Sequence, residues 1–459
     1  MVFNTAILDR QSDMVKATQE ILKIKSVEGP AQGDMPFGPD VHKCFMHTLE
    51  LAKSLGFKTK NVDNYAGHAE IGQGDDIVGI LVHLDVVPEG DNWDFDPYGG
   101  EISEGKIYGR GALDDKGPAI ASLFAMKAIL DSGLELKKRV RLIFGLNEET
   151  HWKGITYYLN HETPPTIGFT PDSDFPACHG EKGIMMVEGH QSFNEKEKGL
   201  AILSFQGGKA ANMVPDEAKV LLNEIVDLSN VHSKYKDHWT FENLNHQTHI
   251  TAKGISAHGS TPEDGLNAIS ILIEILQQLD LKHLGQKAFL DYYKEHIGYE
   301  FNGEHAGCHF EDEDSGKLTY NVGVLNITPE KLSMVTNVRY PITTSYDLVV
   351  KEIQKNYKQI NLIYELQDHM PPIYFPKDHP LIEKLMHVYQ IHTGDLSQPS
   401  TTGGGTYARA LDNVVAFGGV FPGDPQLAHQ KNEYISISNL IKTSQIYASA
   451  IYELAKDEN

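Results

Sequence analysis

Cysteine is scarce: Cys44, Cys178 and Cys308 are three in 459 residues. They are odd in number and far apart, which excludes a disulfide framework or zinc-finger spacing and points to a reducing cytosol. No uninterrupted apolar run approaches the length of a membrane span. The opening residues MVFNTAILDR lack a basic stretch followed by a long apolar one, so no signal peptide is expected. Positive charge is also in deficit, with 40 Lys and Arg against 63 Asp and Glu and a formal charge of -23. Such a field repels nucleic acid and anionic membrane surfaces, so neither is expected as a partner. Internal repeats and low-complexity tracts are missing too.

What is present is the composition of a soluble globular protein, 40% hydrophobic and 22% charged. The length exceeds one ordinary core and calls for two domains. Val41, Cys44, Phe45, Thr48, Leu49, Ala52 and Leu55 share one helical face, with Asp40 placed to cap its start and Gly56 its end. Ile77 to His83 is nearly continuous in apolar residues, as in a strand covered on both faces. A helix with Pro118 in its first turn follows, then strands at 140–146 and 166–170. From about residue 184 the pattern shifts to antiparallel strands at 199–205, 218–222, 248–252, 318–326 and 331–341, with one helix around Leu266 to Leu276. The α/β texture returns near Pro380. The fold class expected is therefore a layered α/β domain with a mixed sheet, made of 1–183 and 376–459. An α+β domain, 184–375, interrupts it.

The chemistry concentrates at strand ends. His83 and Asp85 are two apart on a strand and emerge on one face, so His83 can bind a metal while Asp85 accepts the second ring N–H. By itself this pair is common in proteins that bind nothing. Asp114 lies in GRGALDDKG, where three glycines permit close backbone approach and a helix begins. A carboxylate held there can bridge two cations. Glu148 and Glu149 follow the strand at 140–146 and point to opposite faces, which suits one ligand and one base for metal-assisted hydrolysis. Paired glutamates are also frequent on ordinary loops. Asp172 and Asp174 both follow the next strand, and either could serve as a ligand. His429, in QLAHQKNE, is a lone histidine of the kind more often structural than ligating.

HLDVVPEG, GRGALDDKG, NEET, FTPDSDFP, SAHGSTPEDG and AHQKNEYI, in this order, resemble the two-metal aminoacylase and carboxypeptidase superfamily of peptidases. The chain is most similar to its bacterial dipeptidase V branch, the carnosinase-like Xaa-Xaa dipeptidases. The resemblance implies that Asp114 bridges two divalent ions, zinc or manganese. It assigns His83 and Asp172 to one ion, Glu149 and His429 to the other, Glu148 as general base and Asp85 as the partner of His83. It favours Asp172 over Asp174 and implies a cis peptide bond between Asp114 and Asp115. In the inserted domain, which the resemblance makes a lid, His258 matches the group that stabilises the oxyanion, with Asn212 assisting. Arg339 matches the clamp on the substrate's C-terminal carboxylate, a role for which a guanidinium fork is suited. The turn carrying Gly404 and Thr406 would offer backbone N–H groups to the same carboxylate. Dimeric relatives have a shorter lid and borrow the histidine, so a lid of roughly 190 residues implies a monomer.

The resemblance thus implies a dipeptidase for unblocked Xaa-Xaa substrates, β-Ala-His among them, and the scarce cysteines make a cytoplasmic one the expectation. An N-acyl-amino-acid or succinyl-diaminopimelate deacylase is the alternative with the same chemistry. A catalytically silent metal-binding protein is the alternative of another class, and it would have no need of Glu148 and His258. Histidine with carboxylates suits Zn, Mn or Co about equally.

Overall fold

A computed structural model describes residues 2–194 and 199–457. The chain divides into two compact units. One comprises Met1–His179, Phe375–Ser400 and Gly405–Asn459, the other Gly180–Tyr374 and Thr401–Gly404. Both ends of the chain thus build the first unit. The short segment Thr401–Gly404 goes with the second, although sequence texture puts it with the C-terminal α/β stretch.

In the first unit a six-stranded sheet runs in the order Lys58–Val62, Ala66–Ile71, Arg139–Gly145, Ile77–His83, Ile167–Thr170, Val414–Ala416. The sheet is mixed: the last four strands are mutually parallel, and the first two attach antiparallel. Ile77–His83 is buried along its whole length, as its unbroken apolar run requires. It pairs so closely with Ile167–Thr170 that a Cβ on Gly168 would lie 1.9 Å from the carbonyl oxygen of Gly79. Glycine is needed there for the strands to approach.

Helices Gln11–Leu22, Pro39–Ser54, Lys116–Ser132, Pro380–Thr393 and Ile437–Ala455 supply much of the rest of this unit's core. Lys116–Ser132 is rich in Ala, Ile, Leu and Met, is buried on nearly every face, and ends at Gly133 in the left-handed region. The helix Pro39–Ser54 begins earlier than its hydrophobic face suggests. Pro39 occupies its first turn and Gly38 precedes it, so Asp40 sits inside the helix and makes no cap. Among the described residues no helix is long and apolar enough to cross a membrane.

The second unit is an eight-stranded antiparallel sheet ordered Trp239–Leu244, Gln247–Lys253, Glu217–Leu222, Ile202–Gly207, Thr319–Ile327, Lys331–Tyr340, Gly183–Ser192, Ile363–Met370. Helices Ala268–Leu276, Leu284–His296 and Tyr346–Tyr357 add to a separate apolar core. Gly183–Ser192 alternates buried and half-buried positions, the signature of a sheet with one covered face. Both edge strands, Trp239–Leu244 and Ile363–Met370, are largely exposed and carry charge, which is why neither shows as an apolar run in the sequence.

Candidate metal centre

Parallel pairing brings the chemistry to one sheet edge. His83 is the last residue of its strand and stands in register with Gly145, three residues before Glu148. Asp172 lies two residues beyond Thr170 on the next parallel strand. Side chains that leave the carboxyl ends of neighbouring parallel strands share one crevice.

There they converge. His83 Nε2 lies 2.9 Å from Asp114 Oδ1 and 3.8 Å from Asp172 Oδ2. His429 Nε2 lies 3.0 Å from Asp114 Oδ2 and 3.0 Å from Glu149 Oε1. One carboxylate therefore faces a different imidazole with each oxygen. The donor atoms of His83, Asp114 and Glu149 lie within 4.8 Å of one another, as do those of His83, Glu148 and Asp172. Donors around a divalent ion at about 2.0–2.2 Å stand roughly 3–4 Å apart, so the set fits such an ion in spacing and in chemistry. Asp174 does not join it: its carboxylate is exposed and accepts from Gln426 Nε2 at 3.1 Å.

The electrostatics of the cluster favour cations. Burial, then repulsion from Asp172, pushes the Glu148 carboxyl well above the usual carboxylate range. Burial, then the charge of Asp114, raises Asp172 to about 7. Glu149 is raised by burial as well. Asp114 goes the other way: burial works against its charge, but hydrogen bonds from His429 and His83 hold it far below the ordinary value. Hydrogen bonds to Asp114 and Glu149 lift His429 to about 11. So many carboxylates in one buried place require compensating positive charge.

Asp85 meets both His83 and the loop that follows the neighbouring strand. The Nδ1 of His83 lies 3.0 Å from the backbone carbonyl of Asp85, while the carboxylate stands off at 3.6 Å. A carbonyl only accepts, so Nδ1 carries the hydrogen and Nε2 faces Asp114. The carboxylate is taken up elsewhere, accepting from the amides of Glu148 and Glu149 at 3.1 Å each. Asp85 thus fixes the backbone of Glu148 and Glu149 in the neighbouring loop.

The peptide bond between Asp114 and Asp115 is cis, as expected. Asp115 is fully buried and accepts from the amide of His83 at 3.2 Å, which ties down the strand end. Glu433, also fully buried, accepts from the amides of Gly111, Leu113 and Asp114. The ring of Tyr407 stands edge-on to His83 at 6.1 Å. None of these three stood out in the sequence. Glu433 carried the best clue, four residues after His429 in the same motif.

The second unit has its own polar cluster. The segments carrying Asn212 and His258 are zipped by backbone bonds, Gly259 N to Asn212 O at 2.7 Å and Val214 N to Ala257 O at 2.8 Å. His258 is exposed, with Nδ1 2.6 Å from Ser260 Oγ and Nε2 3.4 Å from Arg339 Nη2. Arg339 is 4% exposed and donates to Asn337 Oδ1 at 3.0 Å and to the carbonyl of Gly403 at 2.5 Å. The nearby turn is already occupied with itself. Gly404 N–H donates to Thr402 Oγ1 at 3.0 Å, which opposes the expected offer of that group to a substrate carboxylate. In the first unit, the Thr406 hydroxyl accepts from Ala408 N at 3.1 Å, capping the short turn Tyr407–Ala410.

The sequence profile of peptidase family M20/M25/M40 matches residues 79–453, a span from the strand of His83 to beyond Glu433. The chain belongs to this family. It is accordingly a peptidase, a hydrolase of the M20 kind. "Putative dipeptidase YtjP" of Bacillus subtilis is 40% identical over 469 residues, covering 99% of this chain and all of that protein. A "Putative dipeptidase" of Staphylococcus epidermidis is 35% identical, covering 98% of this chain and 99% of that one. Among solved structures, human carnosine dipeptidase 1 superposes on this M20 peptidase with a TM-score of 0.60 at 16% identity, covering 99% of this chain and 98% of that one. At that identity the likeness speaks for the fold alone.

Proposed function

We propose that the protein is a metal-dependent dipeptidase that hydrolyses the peptide bond of unblocked Xaa-Xaa dipeptides. The observation that carries the reading is Asp114, whose two carboxylate oxygens face His83 and His429 at 2.9 and 3.0 Å. A carboxylate so placed can bridge two ions. His83 and Asp172 would hold one, Glu149 and His429 the other, and zinc and manganese both suit these donors. Divalent ions bound there supply Lewis-acid polarisation of the scissile carbonyl and activation of water.

The remaining steps fall to the chain's own groups. Glu148, its proton affinity raised by burial, takes the proton of the attacking water and returns it to the leaving nitrogen. Asp85 keeps Glu148 and Glu149 in place through their amides. His258, with Asn212, stabilises the developing oxyanion, an effect worth about 3–4 kcal/mol for a well-placed donor. Arg339 takes the C-terminal carboxylate. A guanidinium suits a free C-terminal carboxylate and an acidic centre attracts a free N-terminal amine, which together favour short unblocked peptides. The relatives named as dipeptidases over the full chain length support this reading. The scarce cysteines suit a cytoplasmic protein, and the length of the inserted domain suits a monomer.

The test is a panel of dipeptides (β-Ala-His included), tripeptides and N-acetyl amino acids, each incubated with metal-loaded enzyme. Rapid turnover confined to the free dipeptides is expected. Cleavage of blocked substrates alone would turn the assignment to a deacylase, and no cleavage with bound metal to a silent binding protein.

A further inference from the structure

Glu433 touches no imidazole of the centre, yet its surroundings are those of an anchor. Its carboxylate is fully buried and accepts from Arg110 Nη1 at 2.7 Å and from the amides of Gly111, Leu113 and Asp114 at 3.1, 2.8 and 3.1 Å. Its own carbonyl accepts from the amide of Gly109 at 3.0 Å. Arg110, 2% exposed, is held in turn by the carbonyl of Glu89 at 3.3 Å and lies over the ring of Trp93. Four donors converge on one carboxylate, so its acceptor positions are occupied by the protein.

We propose that Glu433 is a positioning residue of the metal centre, fixing from the backbone side the turn whose Asp114 carboxylate faces both histidines. The segment 429–433 grips Asp114 at two ends: His429 meets its Oδ2 and Glu433 meets its amide. These segments lie 319 residues apart in the chain, so nothing local keeps them in register. A carboxylate with four donors does, because each amide it accepts removes one freedom from the turn. A bridging oxygen pair tolerates little rotation, and a loosened turn would weaken the hold on both ions. The inference rests on the metal reading above.

Divalent-ion titration calorimetry on chelator-stripped, full-length protein tests it, with Mn²⁺ as the probe. Glu433→Gln keeps the shape but turns an NH2 toward N–H donors. It should weaken Mn²⁺ binding about 10- to 100-fold, the usual effect of disturbing a group behind a ligand. Glu70→Gln breaks another partly buried ion pair of the same unit, with Arg141 at 2.8 Å, and should leave affinity within about twofold. If Glu433→Gln does not fold, Glu433→Asp, which keeps the charge but shortens the reach, should show the loss at about tenfold. Wild-type affinity in a folded Glu433 variant overturns the proposal, as does an equal loss in Glu70→Gln. A wild-type protein that takes up no divalent ion instead overturns the metal reading itself.

Discussion

Replacing Asp85 by Asn separates two accounts of how the centre is held. The side chain is 1% exposed, and its two oxygens accept the amides of Glu148 and Glu149 at 3.1 Å each. Asparagine keeps one acceptor and turns an NH2 toward the other amide. One hydrogen bond to a charged group is lost, about 1.5–3 kcal/mol, and a buried N–H is left unpaired at about 1–3 kcal/mol. The two overlap, so a stability loss of about 2–4 kcal/mol is expected in urea unfolding of the metal-free protein. The loop that carries Glu148 then drifts, and a shift on the order of 1 Å costs about 100-fold in turnover. The backbone carbonyl facing His83 Nδ1 survives the substitution, so the loss reports on the amides and leaves the histidine tautomer alone. A double-mutant cycle makes the point decisive. In a Glu148→Gln background the part of the kcat penalty of Asp85→Asn that acts through the base should vanish, leaving only the part that acts through Glu149. Strictly additive penalties, or an Asp85→Asn enzyme with wild-type stability and kcat, would refute the reasoning.

Glu148→Gln by itself should leave the metal content measured by mass spectrometry unchanged while kcat falls by about 10²–10⁴; retention of most activity would remove Glu148 from the role of base. A further expectation concerns His68, 6% exposed and held neutral, its pKa lowered from 6.5 to about 3 by burial and then by the charge of Arg141. Below pH 6.5 the unfolded chain takes up a proton that the folded protein refuses until about pH 3, so this contribution is complete above 6.5 and is lost progressively through that window. At pH 5 the loss is about 2 kcal/mol. Urea midpoints at pH 7.5 and pH 5 should therefore diverge less in His68→Gln than in the wild type, and identical slopes would show that His68 does not contribute.

Much of the centre was legible because its residues follow strands whose apolar runs are unmistakable. Ile77–His83 reads as a buried strand, and a histidine at its end reads as delivered to a crevice. The choice between Asp172 and Asp174 was open on residue types alone. Register places them differently: Asp174 pairs beside Val420 and its side chain meets Gln426, while Asp172 meets His83. Period-two alternation puts Asp85 on the face of His83 but says nothing of the amides of Glu148 and Glu149 that also wait there. The edge strands Trp239–Leu244 and Ile363–Met370 went unseen because exposed edges need no apolar pattern.

Local sequence determined the elements, the acidic and imidazole donors at their ends, and the split of one α/β body around an inserted one. These depend on periodicity and on chemistry carried within a few residues. Only the folded chain decided which donors share Asp114, that Asp85 serves amides, and that Glu433 anchors a turn 319 residues away. Those are outcomes of parallel register and burial, where a carboxylate finds its partners across the chain and must satisfy every one of them.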